Sequence, residues 1–399
     1  MSLKFIDDPS FEVEGKKVLV RFDYNVPLDK KDSTVITDTT RVDLTLPTLK
    51  YILEKRPSKV IIMSHLGRPK GQVVPEFGLE PVAKYLAQVL NEEVVLTETA
   101  KDSGIKTLLG LNSPRVILLQ NLRYHPEEEK NDHEFSKLLA SYGDIYVNDA
   151  FGTCHRKHAS TYGVMAFFKK KTFGGFVLKK EIKALDQIVE NPKKPFMALL
   201  GGAKVSDKIK VIEKLLPNVD SLLIGGAMAY PFLKAQGHNI GKSLCSDEDV
   251  SLAKSLLNDK FANRIMIPQD HVVSQSLNGE PETISEKSIP DDKIGLDIGA
   301  KTVSQYKEKL GQAKTILWNG PMGLFENQSF SKGTYALAEV LANSDAFTLV
   351  GGGDSVSALK NSGRAESISH ISTGGGASLE YIENGSLPGI QGLKFGVEL

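Results

Sequence analysis

Nine short apolar runs, each followed by a polar or glycine-rich turn and then a helix-like stretch, limit what this chain can fold into more than any other feature. They include Val18-Leu19-Val20, Val60 to Met63, Val116 to Leu119 and Ile145-Tyr146-Val147. Further along come Met197 to Leu200, Leu222-Leu223-Ile224, Ile265-Met266-Ile267, Ile316-Leu317-Trp318 and Phe347 to Val350. Unbroken apolar runs of this length suit strands buried on both faces, as in a parallel sheet covered by helices. Their alternation with helical stretches predicts an α/β fold. Nine or more strands are more than one open sheet holds comfortably, so two sheets are expected.

Phe173-Gly174-Gly175-Phe176 is followed by Leu178, Ile182, Leu185 and Ile188/Val189, an apolar stripe at helical spacing that Asn191-Pro192 and Pro195 end. The expected organisation is therefore two Rossmann-like domains, each a mostly parallel sheet flanked by helices, joined by a connecting helix over 173–191. The first domain covers 1–172 and the second 192–387. A length of 399 residues agrees, at roughly 100–200 residues per domain.

Composition removes several classes. Lys+Arg and Asp+Glu are both 49, so the chain lacks the basic excess with which nucleic-acid binders displace counterions. Two cysteines, Cys154 and Cys245, cannot build a disulfide framework and suit a reducing compartment. The longest charge-free apolar stretch, 221–233, contains Pro231 and falls short of the ~20 residues a spanning helix needs. The first residues show no signal-peptide pattern. A soluble, cytoplasmic protein with no nucleic-acid or membrane partner is expected.

Ligands of open α/β sheets bind beyond the carboxyl ends of the strands, and the turns found there differ between the halves. In the first half they read Arg21-Phe22-Asp23-Tyr24-Asn25, Ser64-His65-Leu66-Gly67-Arg68, Asn121-Leu122-Arg123-Tyr124-His125 and Asn148 through His158. Seven of the nine arginines (21, 41, 56, 68, 115, 123, 156) precede residue 157. Guanidinium groups grip carboxylate and phosphate oxygens in a fixed plane, so arginines at several strand ends point to a small, multiply charged anion. The bland alternative makes each one a surface ion-pair partner. His155 and His158 beside Cys154 lack a completing ligand at metal-site spacing and suit anion contacts better.

In the second half the same positions carry glycine: Gly201-Gly202-Ala203-Lys204 through Lys208, Gly225-Gly226, Asn319-Gly320-Pro321-Met322-Gly323, Gly351-Gly352-Gly353-Asp354-Ser355 and Thr373 through Ala377. Glycine between strand and helix lets backbone N–H groups approach a phosphate, although a tight turn alone also accounts for any single pair. Lys204 and Lys208, four apart at an expected helix start, should share one face. Asp354 is placed to hold a Mg²⁺ bridging phosphate oxygens. The second half therefore reads as a nucleotide site. Gly237 through Ser243 imitates a phosphate loop but has three residues between its glycines where four are needed. Gly351 through Ser355 lacks the dinucleotide spacing. Trp318 and Phe325 suit a core or a base-stacking role.

Six runs resemble signatures of the phosphoglycerate kinase family, in that family's order: Val20 to Pro27, Met63 to Pro69, Gly201 to Lys208, Leu317 to Glu326, Gly351 to Ser355 and Ser372 to Ser378. The resemblance implies reversible phosphoryl transfer between ATP and the carboxylate of 3-phosphoglycerate, giving ADP and 1,3-bisphosphoglycerate, with Mg²⁺ as cofactor and a monomeric chain. By position it implies acid-substrate contacts from Asp23, Tyr24, Asn25, Arg41, His65, Leu66, Gly67, Arg68, Arg123 and Arg156. It implies nucleotide contacts from Lys204, Lys208, Gly226, Gly295, Pro321, Glu326, Gly352, Gly353, Asp354 and Ser355, with Asp354 the metal ligand. Arg41, Lys204 and Lys208 would be the catalytic charges around the transferring group. Residues 388–399 resemble a tail that returns to the first domain. Cys154 and Lys157 stand where that family favours small residues, and Ala300 where proline is usual.

The acceptor carboxylate is already ionised, so the reaction needs no general base; it needs positioning and charge stabilisation, with the domains closing to bring the ligands in line. Two rival classes share parts of the pattern. A nicotinamide-dependent dehydrogenase would need the missing fingerprint, and a non-catalytic anion binder would need only the arginine half.

Overall fold

Most of the apolar runs become strands buried on both faces, and in the first half short strands outside those runs join them. In the computed structural model, which describes residues 3–398, these are β1 (Lys17–Phe22), β2 (Lys59–Met63), β3 (Val94–Leu96), β4 (Val116–Leu118), β5 (Ile145–Asp149) and β6 (Thr172–Gly174). All six are parallel, in the order β3-β4-β2-β1-β5-β6. Register pairs Leu19 with Ile61 on one side and with Tyr146 on the other, and all three side chains are fully buried. The helices Thr40–Glu54 and Glu80–Leu90 lay Val42, Leu49, Ile52, Val82 and Leu86 against this sheet's core.

A second parallel sheet contains β7 (Phe196–Leu200), β8 (Ser221–Ile224) and β9 (Ile265–Met266), and later β13 (Thr315–Asn319), β14 (Phe347–Gly351) and β15 (His370–Ile371). Its order is β15-β14-β13-β7-β8-β9. Between β9 and β13 the chain forms a separate antiparallel sheet from β10 (His271–Ser274), β11 (Glu282–Ile284) and β12 (Ile294–Ile298), ordered β11-β10-β12. The expectation of two sheets did not include this third one. β10 and β11 are short and β11 is largely exposed, so neither carries the apolar run that marks a buried strand.

Two compact units result. One comprises 1–183 with 386–399, the other 184–385. The helix expected over 173–191 is Phe176–Val189, with Leu178, Leu185 and Ile188 buried, and the division between units falls inside it. The C-terminal helix Pro388–Phe395 packs in the first unit, where Gly389 N–H donates to the Cys154 carbonyl at 2.9 Å. Met1, Ser2 and Leu399, at the ends of the expected first domain and returning tail, lie outside the described residues. Among the described residues, no helix is long and apolar enough to cross a membrane.

Ala300 opens the helix Ala300–Gly311. Its start is capped from elsewhere: Asp270 accepts the N–H groups of Lys301 and Thr302, each at 2.8 Å. Gly299 before it is extended, at φ −82° and ψ 173°, a conformation compatible with a following proline. Proline is tolerated at a first helical position and narrows the unfolded ensemble. Ala300→Pro is therefore expected to stabilise the protein by about 0.4–1 kcal/mol; urea unfolding checks it, and a lowered midpoint contradicts it.

Candidate active site

In the first unit, parallel strands put all the singled-out turns at one edge of the sheet. Asp23, Tyr24 and Asn25 follow β1, His65 through Arg68 follow β2, Arg123 follows β4, and Arg156 follows β5. Arg41 lies in the first turn of helix Thr40–Glu54, and its Nη1–H donates to Asp23 Oδ2 at 2.8 Å. Asn25 Oδ1 accepts Gly67 N–H at 2.9 Å, and the Gly67 carbonyl accepts Arg123 Nη1–H at 2.9 Å. Three turns are thereby tied together. Tyr24 and Leu66 contribute differently: both side chains are buried, Tyr24 stacking on Phe22, so they anchor their turns from below. Arg68 is exposed.

The electrostatics of this edge are one-sided. His65 is pushed well below its ordinary value by burial and by Arg21, Arg123 and Arg41. His158 falls to about 3 through burial and then Arg123, Arg21 and Arg156. His155 is lowered by burial and Arg156. Burial and neighbouring arginines bring Arg123 down to about 10, so it remains charged at neutral pH. Asp23 and Glu129, the latter 3.4 Å from Arg123 Nε, offset only part of this charge. Such a concentration of fixed positive charge, with neutral imidazoles among it, is suited to a polyanion.

Not every arginine joins it. Arg56 pairs with Glu14, and Arg115 with Glu92, each just ahead of a strand and so at the opposite edge. For these two the bland ion-pair reading holds. Arg21 is buried, donating to Ser160 Oγ and His65 Nδ1. Lys157 is exposed, its ammonium 5.3 Å from the Tyr162 ring centre. Burial raises the Cys154 thiol to about 12, which leaves it inert as a nucleophile. Among the described residues, no group of three or more His, Cys, Asp or Glu side chains could hold a metal.

The second unit carries a cavity of about 280 Å³ whose lining includes Gly226, Gly295, Pro321, Glu326 and Asp354. Sequence reasoning missed Leu244, Leu277 and Leu324, which line it too; Leu244 and Leu277 are 56% and 53% exposed. No local motif joins these scattered leucines, so only the fold brings them together. Apolar side chains around a rim that also carries the Glu326 and Asp354 carboxylates suit a planar base bearing polar substituents.

The glycine turns divide into two kinds. A Cβ on Gly201 would lie 2.0 Å from the Pro321 carbonyl oxygen, and one on Gly226 2.7 Å from Gly202 N. These turns pack backbone against backbone: Gly201, Gly202 and Gly226 donate their N–H groups to the carbonyls of Asn319, Pro321 and Met322. Their amides are thus engaged internally, contrary to the expectation that they cradle phosphate. Around Gly353, Gly375 and Gly376, by contrast, a Cβ would meet nothing within 4 Å. Gly353 and Gly376 begin helices Gly353–Asn361 and Gly376–Asn384, whose N-termini present open, positively polarised backbone.

Lys204 and Lys208 do not share a helix face. The helix is Ile209–Leu215, and Lys208 caps it from outside. Asp249 accepts Ser206 N–H at 2.8 Å, holding the preceding segment as a loop. Lys204 is exposed, while Lys208 Nζ reaches the carbonyls of Gly201 and Asn319 at 2.5 and 2.9 Å. Burial lowers Lys208 to about 8, with Asp354 acting in the opposite sense. Ser355 is buried, and its Oγ accepts Gly320 N–H at 2.5 Å, fixing the neighbouring turn. Trp318 is a core residue, while Phe325 is buried beside the cavity turn.

The phosphoglycerate kinase family model matches residues 6–385. This chain belongs to the phosphoglycerate kinase family. A phosphoglycerate kinase of Anaeromyxobacter sp. (strain Fw109-5) is 47% identical over 401 residues, covering 99% of this chain and 100% of that protein. One from Finegoldia magna is 48% identical over 397 residues, covering 98% of each. Among solved structures, the phosphoglycerate kinase from Coxiella burnetii superposes with a TM-score of 0.86 at 38% identity, covering 97% of this chain and 98% of that one. The enzyme from Pyrococcus horikoshii gives 0.83 at 31% identity, covering 99% of each. As a phosphoglycerate kinase family member the chain is an enzyme, a phosphotransferase.

A pH dependence follows for this family member. His65, His158 and the buried His271, lowered to about 4 chiefly by burial, stay neutral when folded but take up protons near pH 6.5 when unfolded. The unfolded state then binds more protons, so stability falls as pH drops below about 6.5, by roughly 2 kcal/mol at pH 5 for each of His158 and His271 and in the same direction for His65. Urea unfolding at pH 7 and pH 5 measures the loss. Nuclear magnetic resonance should show no titration of His158 between pH 8 and pH 5; a midpoint above 6 contradicts the reading.

Proposed function

We propose that the chain catalyses reversible transfer of the γ-phosphoryl group of ATP to the carboxylate of 3-phosphoglycerate, forming ADP and 1,3-bisphosphoglycerate. The observation that carries this is the pairing, on one chain, of a strand edge, where Arg41, Arg123, Arg156 and His65 gather, with a cavity bordered by Glu326 and Asp354. The first suits a small acid bearing both carboxylate and phosphate, and the second a nucleotide.

On this reading Arg123, Arg156, Arg68 and His65 hold the acid substrate, with Asp23 and Asn25 shaping the turns around it. Asp23 restrains Arg41 through their 2.8 Å contact, aiming its guanidinium without neutralising it fully. The attacking carboxylate and the phosphoryl group are both anionic, so the barrier is largely repulsion, and catalysis consists of positioning and countercharge. Arg41 shares that charge, as do Lys204 and Lys208. Two of the three donors of Lys208 Nζ are engaged, which leaves one for a phosphate oxygen. The helix N-termini at Gly353 and Gly376, with open space beside them, suit the remaining phosphates.

The exposed Asp354 carboxylate on the cavity lining suits Mg²⁺, which takes one or two carboxylates and completes its shell with phosphate and water oxygens. Mg²⁺ held there would supply positive charge to the nucleotide's phosphates. Because acid and nucleotide anchors belong to different units, turnover requires those units to close and bring the two ligands in line. We read the working form as a monomer.

A coupled assay with ATP, Mg²⁺ and 3-phosphoglycerate tests the reaction; absence of ADP formation dependent on 3-phosphoglycerate would overturn it. Arg41→Ala is expected to lower kcat by roughly 10²–10³, the scale of removing one preorganised charge donor, with ATP affinity little changed. Near wild-type turnover would remove Arg41 from the charge set. Lys208→Ala should also depress kcat, and unaltered turnover excludes Lys208 from the transition state.

A further inference from the structure

One buried carboxylate at the arginine edge has no part in the reaction above. Glu128 is fully buried in the short helix Pro126–Glu129. Its Oε1 accepts the Ser160 hydroxyl at 2.6 Å, and its Oε2 accepts the Ser160 N–H at 3.0 Å. Ser160 Oγ in turn accepts Arg21 Nε–H at 2.8 Å, and Arg21 Nη2–H donates to His65 Nδ1 at 3.0 Å. All four residues are 3% exposed or less.

Chemistry fixes the direction of every bond in this chain. A guanidinium only donates, so Ser160 Oγ and His65 Nδ1 both offer Arg21 a lone pair. Burial raises Glu128, while Arg21 and the two Ser160 hydrogen bonds act to keep it a carboxylate, which accepts the Ser160 hydroxyl proton. His65 Nδ1 must then be the acceptor nitrogen, and the proton of the neutral ring resides on Nε2. Asp23 Oδ1 is 4.0 Å from the same nitrogen, beyond hydrogen-bonding distance, which leaves Arg21 as the bonded partner. A buried guanidinium without a counter-charge is strongly disfavoured, and Glu128 is the buried carboxylate that provides one.

We propose that Glu128, acting through Ser160 and Arg21, is a positioning residue that fixes His65 in one orientation with Nδ1 as acceptor and its proton on Nε2. This rests on the reading of His65 as an acid-substrate contact. A ring fixed this way offers a neutral donor of constant geometry to a substrate oxygen. The arrangement gives a glutamate a place inside a positively charged site: it compensates Arg21 from beneath and acts more weakly on Arg123.

Two substitutions break the chain differently. Ser160→Ala removes only the bridging hydroxyl. Glu128→Gln removes the charge and replaces one of the two accepting oxygens with a donor. Ser160→Thr restores the hydroxyl. Ring-nitrogen spectra of ¹⁵N-histidine-labelled full-length protein read the His65 tautomer directly, and steady-state kinetics are measured alongside. The wild-type protein and Ser160→Thr are expected to show acceptor-type Nδ1 and protonated Nε2. Ser160→Ala and Glu128→Gln should move His65 toward a tautomer mixture. They should raise KM for 3-phosphoglycerate about tenfold, the scale of one charge-assisted hydrogen bond, with KM for ATP within about twofold. A folded Ser160→Ala protein with an unchanged His65 signature and unchanged KM for 3-phosphoglycerate would overturn the proposal. If Glu128→Gln does not fold, Ser160→Ala decides alone. If the wild-type protein does not use 3-phosphoglycerate, the functional reading fails while the ring spectra still decide the positioning role.

Discussion

Within each six-stranded sheet every strand runs the same way, and the placement of the candidate sites depends on that constraint. Parallel pairing sends all the strand carboxyl ends to one edge, so residues more than a hundred positions apart in the chain become neighbours there. Asp23 and Arg123 reach the same edge because β1, β2 and β4 are held in parallel register. An antiparallel sheet would have distributed the same residues over two edges. The buried apolar runs that secure this register therefore act on chemistry at a distance, by deciding which turns meet.

The two edges then use the parallel sheet in opposite ways. In the first unit, positive charge is concentrated and only partly offset, and the histidines there are lowered first by burial and then by the arginines. In the second, side chains are withdrawn so that backbone can pack on backbone, and Lys208 is drawn into the gap. One edge recognises by fixed charge, the other by shape and main-chain polarity. The first is costly to assemble because like charges repel.

Much of this was readable from residue order. The long buried strands β1, β2, β5, β7, β13 and β14 announce themselves as apolar runs, and the connecting helix as a stripe ended by proline. What was not readable depends on packing that no local pattern encodes. β3, β6 and β15 are two or three residues long at or next to sheet edges, and the sheet of β10, β11 and β12 lacks continuous apolar runs. Spacing alone made Lys204 and Lys208 helix partners, but Asp249, 43 positions on, reshapes that segment by bonding to Ser206. Likewise five glycine turns looked alike in sequence; only the structure separates turns packed on each other from those facing open space. Arg21 looked like its neighbours too, yet strand alternation and burial turn it inward.

Cys154 sits under the returning C-terminal segment: it is fully buried, its carbonyl accepts Gly389 N–H, and a Cβ on Gly389 would lie 3.2 Å from its Sγ. A modifying reagent can reach that sulfur only when local opening uncovers it, and such openings need far less free energy than global unfolding where a terminal element is the cover. The native thiol is thus a built-in timer whose labelling rate counts how often the last helix lifts from the body of the first unit, with no foreign probe attached.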